Sequence, residues 1–420
     1  MIHRREFIGA VGATLAATAF SRAQARPRKR VAIVTTEWAY RSHAWHMADR
    51  FLAGYPLEGN WHRPSIDVVS AYVDQKPEHD LSEARAREFG FPIYPSIAEA
   101  LRCGGDRLAV DGVLLIGEHG SYPKNEIGQT LYPRYEFFQQ IVDVFKKDGR
   151  AVPVFNDKHL SWKWEWAKEM VDTARAMDFP LLAGSSLPVT WRMPAIDLPY
   201  GVEVDEVMCV AYGPVDHYDF HALETIQCMA ERRDGGETGV LWIEAVRGDA
   251  VWDSLQRKGS WKRGGWDPKL FQSCLCRSHR LAQPETCSHR YPTREVIRQS
   301  AQDPVAYRFQ YADGLRGTML LVNSLAEDFT FAARLKGRSR ALSTLFYLSP
   351  HPNIVYSAAL MSKVEEMLET GRAPYPIERT LLTSGLVEAG VQSLAQKKRI
   401  ETPHLSVRYR APRPSQFWRT

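Results

Sequence analysis

Between residues 31 and 155, short apolar runs rich in β-branched residues alternate with amphipathic stretches, and this alternation leaves few folds open. The strand-like runs lie at 31–35, 66–73, 111–116 and 152–155. Between them come helical periods: one with His43, Met47 and Phe51 on a single face, then 81–89, 97–103 and 134–147. Strands separated by helices are joined by crossovers, so they pair in parallel and are covered on both faces. Ligands of such a sheet bind beyond the carboxyl ends of its strands. The ends at 35–43, 74, 117–120 and 156–159 are therefore where functional residues are expected.

The second half has another texture. Runs at 203–212, 240–246, 306–311, 317–322, 329–335 and 341–348 read as strands of an antiparallel sheet, with a hairpin signal at Asp313-Gly314. A long helix is expected at 377–397. The fold class that follows is α/β: an N-terminal Rossmann-like doubly wound parallel sheet plus a C-terminal α+β domain with a large, mostly antiparallel sheet. The expected divisions are a leader at 1–25, the nucleotide-binding-type domain at 26–160 and a substrate and oligomerisation domain at 161–420, whose closing helix can pack back on the first. Residues 252–289 read as an irregular insertion, and 408–420 as an extended surface tail. An uncovered apolar sheet face seeks a partner, so a homo-oligomer is expected through the C-terminal sheet.

Arg4-Arg5, the mildly apolar run 7–20 and Ala23-Gln24-Ala25 read as a twin-arginine signal with its cleavage site. This predicts a periplasmic or secreted protein. No later segment is apolar for the roughly 20 residues that a spanning helix needs, so no membrane insertion is expected. A net charge of +5, with no basic stripe interleaved with aromatics, argues against nucleic acid. Six cysteines in 420 residues do not make a disulfide framework. Cys274, Cys276, His279, Cys287 and His289 share a short window, but their spacing matches no common zinc site, and free thiols are the leading expectation.

The turn after the first run, Thr36-Glu37-Trp38-Ala39-Tyr40, contains no glycine. In a dinucleotide-binding unit, glycines let that turn approach the pyrophosphate. Here bulky side chains and a carboxylate occupy it.

Together these segments resemble the Gfo/Idh/MocA family of glucose-fructose oxidoreductases and inositol dehydrogenases. VVSAYVDQ followed by EARAREFGFPIYPSIAEAL is similar to its second strand and the helices after it, and DGVLLIG to its fourth strand. VPVFNDKHLS lies where the family has its Glu-Lys-Pro motif, here Asp157-Lys158-His159. HYDFHALETI resembles the segment with the catalytic acid and histidine, placing His217 at the acid and His221 at the histidine. The resemblance implies an NAD- or NADP-dependent oxidoreductase acting on a small-molecule carbohydrate, cyclitol or polyol. A non-redox hydrolase or lyase, with or without a metal ion, and a binding protein that has lost the dinucleotide are the alternatives.

On this reading Lys158, His221 and His217 are the catalytic candidates. A strand-end lysine would be partly desolvated and suited to proton transfer, and histidines four apart share a helix face. Thr35, Thr36, Asp74 and Glu118 are the cofactor-binding candidates, Asp74 as the acid that ends the second strand. His119, Asp157 and Arg192 are the substrate-binding candidates. Glu118, His119, Asp157, His159, His217 and His221 form the alternative metal set. Trp38, Tyr40, Trp162, Trp164 and Trp166 are able to stack on sugar faces, although aromatic residues more often pack.

Overall fold

The computed structural model describes residues 28–256, 261–282, 290–349 and 355–419. The first part runs β1 (Lys29–Thr35), α1 (His43–Ala53), a small hairpin β2 (Tyr55–Leu57) and β3 (Asn60–His62), and β4 (Ile66–Val73). Next come α2 (Ser82–Phe89), α3 (Ile97–Arg102), β5 (Gly112–Ile116), α4 (Arg134–Asp148), β6 (Val154–Asp157), α5 (Trp164–Ala176) and β7 (Leu181–Gly184). Five strands form a sheet in the order β4-β1-β5-β6-β7, every pair parallel. The sheet does not stop at 160: α5 returns the chain to add β7 at its edge.

The chain continues with β8 (Arg192–Met193), β9 (Val204–Ala211), α6 (Tyr218–Ala230), β10 (Val240–Arg247), α7 (Asp249–Gln256), α8 (Pro268–Leu275) and α9 (Arg294–Ser300). It closes with β11 (Gln302–Tyr311), β12 (Arg316–Asn323), β13 (Phe329–Leu335), β14 (Leu342–Phe346), α10 (Ala358–Thr370), α11 (Glu378–Gln396) and β15 (Ile400–Glu401). The second sheet is ordered β15-β10-β11-β12-β9-β13-β14-β8 and is antiparallel except where β12 meets β9.

Three apolar clusters account for the layers. Helices α1 and α10 cover one face of the parallel sheet, with Met47, Phe51, Leu360 and Val364 against Ile33, Leu114 and Phe155. A continuous core joins its other face, through α4, α5, α6 and α11, to the inner face of the large sheet. Gly390 lets α11 close on that sheet, because a Cβ there would meet Tyr307 at 2.3 Å. On the outer face, Trp252, Trp266, Leu270 and Phe271 cover Met208, Val210, Leu320 and Val322.

That outer layer corrects two expectations. The described part of the insertion is largely helical, and it covers the sheet face that was expected to be open for self-association. The tail also does more than cross the surface. Tyr409 donates to Glu231 at 2.8 Å, Phe417 is buried against the Arg192 guanidinium, and Trp418 N–H donates to Val189 O at 2.8 Å. The leader at 1–25 lies outside the described residues. Among the described residues no helix is long and apolar enough to cross a membrane.

Candidate active site

Functional side chains gather at the carboxyl ends of β5 and β6. Past β5 the chain turns through Gly117, Glu118, His119 and Gly120, with His119 at φ 73° and Gly120 at φ 91°. Gly117 is needed there, since a Cβ would lie 2.7 Å from Arg134 Cγ. Past β6, Lys158 takes φ 60° and bridges to Gly184, which aims its side chain back at the neighbouring strand end.

Glu118 is the hub. Its carboxylate accepts from Lys158 Nζ at 3.0 Å, from the Arg134 guanidinium and from His217 Nδ1 at 3.3 Å. Burial alone would raise this carboxyl, but Lys158, Arg134 and the His217 hydrogen bond outweigh it and hold Glu118 well below the usual carboxylate range. Lys158 is thus buried but paired, not the bare desolvated ammonium expected from its strand-end position. Asp157 Oδ2 lies 2.6 Å from His43 Nδ1 at the start of α1, in a buried pair.

Three half-buried imidazoles surround this pair, and each spends Nδ1 on the protein. His119 Nδ1 accepts from the His43 N–H at 3.3 Å. His221 Nδ1 lies 2.6 Å from Ser185 Oγ, which accepts from Leu187 N–H at 3.1 Å; among the described residues that hydroxyl is bonded to no other acceptor, which directs its proton at the ring. His217 Nδ1 faces a carboxylate, which can only accept. The bonding network therefore assigns Nε2–H to neutral His119 and His221, and Nδ1–H to His217, whose Nε2 carries a lone pair when that ring is neutral. Burial, followed by repulsion from Lys158 and His43, holds His221 neutral far below the ordinary imidazole range. Burial and His43 push His119 down to about 4. His159 accepts from Arg134 at 3.1 Å and is likewise kept neutral, chiefly by burial.

The catalytic candidates Lys158, His217 and His221 are therefore brought together. His217 precedes the first turn of α6 and does not sit within it, so the pair flanks that helix end. Arg134, His43 and Ser185 complete the group and were not anticipated.

Other candidates fall elsewhere. Arg192 is 4 % exposed, bonded to Asp197 at 2.6 Å and sandwiched between the Phe346 and Phe417 rings, a structural position away from this cluster. Thr35 Oγ1 donates to Ile116 O, and Thr36 Oγ1 to Glu118 O. Asp74 accepts from Tyr72 and Tyr122, and Glu118 is consumed by its cations. Asp74 is exposed, but all four cofactor candidates already spend hydrogen bonds or ion pairs within the protein and the turn after β1 carries no glycine, so as arranged these residues do not fit a dinucleotide. Among the described residues no three His, Cys, Asp or Glu side chains could hold a metal ion. The Lys158 and Arg134 contacts explain this physically, since they already neutralise the central carboxylate. Cys274 is buried under β9 and β13, and Cys287 and His289 lie outside the described residues. Trp38 and Trp164 are core residues, Trp162 and Trp166 pack on each other and on Tyr135, and Tyr40 is 60 % exposed.

A parallel sheet joined to a large mixed sheet is an architecture this chain shares with solved dehydrogenase structures. Similar solved structures include GenD2 from gentamicin A biosynthesis in complex with NAD, at 13% identity and TM-score 0.55, covering 89% of this chain and 96% of that one. The myo-inositol dehydrogenase from Corynebacterium glutamicum is 12% identical with TM-score 0.53, covering 89% and 98%. The Lactobacillus casei myo-inositol dehydrogenase in complex with NAD(H) and myo-inositol is 12% identical with TM-score 0.52, covering 89% and 96%. No family model and no curated protein sequence matches the chain. At these identities the likeness is one of fold.

Proposed function

We propose that this chain is an exported enzyme that moves a proton at a hydroxyl of a sugar, cyclitol or related polyol. The observation that carries the reading is that His217, His119 and His221 each engage the protein through Nδ1 near the buried Lys158–Glu118 pair, which leaves the Nε2 atoms for proton transfer. His217 Nε2 takes the proton while Glu118 stabilises the imidazolium that forms. The Lys158 ammonium and the His221 Nε2–H then stabilise the charge left on oxygen. The polyol assignment is supported by the fold, which is shared with proteins whose ligand is myo-inositol. The leader at 1–25 supports export.

A nicotinamide-dependent oxidation of the same hydroxyl is the second reading, favoured by the NAD held in two of the similar structures. The test is a panel of sugars, cyclitols and glycosides assayed with and without NAD and NADP, with products identified by mass. Turnover of one class, reduced about 10²- to 10⁴-fold in His217→Asn, supports the proposal. Turnover indifferent to His217→Asn and Lys158→Met would remove it.

A further inference from the structure

Around the first βα turn the chain's own groups make the hydrogen bonds that a dinucleotide would otherwise take. In a dinucleotide-binding unit three features stay open: the first turn of the helix, the acid after the second strand, and the gap between the strand-end loops. Here each is taken. The His43 N–H at the head of α1 donates to His119 Nδ1, so an imidazole sits where a phosphate oxygen would. Both Asp74 oxygens accept phenols, from Tyr72 at 2.7 Å and Tyr122 at 2.6 Å, where a ribose hydroxyl would bind.

The gap is stitched shut as well. Ser121 N–H donates to Gln75 Oε1 at 2.8 Å, and Gln75 Nε2 donates back to Ser121 O at 3.1 Å, joining the loops after β4 and β5. Thr36 Oγ1 donates to Glu118 O at 2.7 Å, joining the turn after β1 to the same loop. Gly120 permits the approach, since a Cβ there would lie 2.9 Å from the Tyr122 ring and 3.0 Å from Gln75 Oε1. Beneath them Trp38, fully buried, stacks on Phe91 and donates its indole N–H to Asp49 at 3.1 Å. Each such hydrogen bond is worth roughly a factor of five in affinity, so a dinucleotide that broke five of them would bind roughly three thousandfold more weakly.

We infer that this chain works without a dinucleotide: the phosphate, ribose and loop positions such a ligand would use are held by its own His119, Tyr72, Tyr122, Gln75 and Ser121. The inference rests on that packing and not on the proton roles proposed above.

The test uses the full chain expressed and kept in the cytoplasm, where dinucleotides are abundant. Small molecules released from the purified protein are identified by mass spectrometry, and NADH and NADPH are titrated by fluorescence to about 1 mM, the upper end of ordinary enzyme affinities, with and without myo-inositol. No released dinucleotide and no saturable signal are expected. A stoichiometric dinucleotide, or saturation in that range, overturns the inference. It would leave the roles of His217 and Lys158 to be judged separately by the kinetics of their variants.

Discussion

Lys158 Nζ lies 3.0 Å from Glu118 Oε1, joining the ends of β5 and β6 across forty residues of sequence. Both groups are buried, and Arg134 shares the carboxylate, so the two ends of this contact are not equivalent. Glu118→Gln leaves two buried cations without a counter-charge. Lys158→Met leaves a carboxylate that still has Arg134. Removing one partner of a buried pair costs about 3–5 kcal/mol, and Glu118→Gln falls in that range while Lys158→Met costs less. Urea unfolding of the two variants checks the ranking, and the reverse order contradicts it.

The neutral imidazoles make stability fall on the acid side. His119, His159 and His221 have folded pKa values below the ordinary 6.5, so the unfolded chain gains protons first as pH drops. Their contribution is full above about 6.5 and fades toward about 4, where His119 titrates in the folded state. His119→Asn keeps an acceptor for the His43 N–H and removes one titrating ring. Its urea midpoint is expected to fall less than that of the wild type between pH 7 and pH 5; an identical fall removes the explanation.

Asp216 works in the opposite direction. Burial, then repulsion from Asp219, raises its carboxyl to about 7, while its Oδ2 accepts the Thr130 N–H at 2.7 Å. A raised carboxyl stabilises fully below about 3.8 and loses that stabilisation as pH rises through about 7. Asp216→Asn retains the acceptor without the charge. Its melting temperature should exceed that of the wild type at pH 8 and match it near pH 4. A difference independent of pH would assign the effect to something other than this carboxyl.

Arg192 separates structure from substrate binding. With Asp197 on its guanidinium and aromatic rings on both faces, Arg192→Met is expected to lower stability by about 1–3 kcal/mol. The KM of the folded variant should stay unchanged. A raised KM at unchanged stability would return Arg192 to the substrate.

Much of the first sheet was legible because parallel strands covered on both faces are continuous apolar runs, as in Val31 to Val34 and Gly112 to Ile116. The same signal marks Met319, Leu320, Leu321 and Val322. Apolar residues on both faces of β12 meant that both faces of the large sheet were covered, one by the core and the other by α7 to α9. Lys158 and His221 were legible through strand-end position and motif. Arg134 was not, because an arginine at a helix start reads as solvated. Its spacing to Phe137, Phe138 and Ile141 places it on the buried stripe, and that was the available signal. Ser185 escaped because no strand was read at 181–184, which fell within the second domain at 161–420, and the Asp157–His43 pair because spacing alone cannot show which strand end a helix start will face.

The most direct measurement is the tautomeric state of the site histidines by long-range proton–nitrogen correlation NMR at pH 7, with His119, His217 and His221 assigned by substitution. The account predicts neutral rings protonated on Nε2 for His119 and His221, and a proton on Nδ1 of His217 facing Glu118. A His217 ring whose only proton is on Nε2, or a His221 ring whose only proton is on Nδ1, would contradict it.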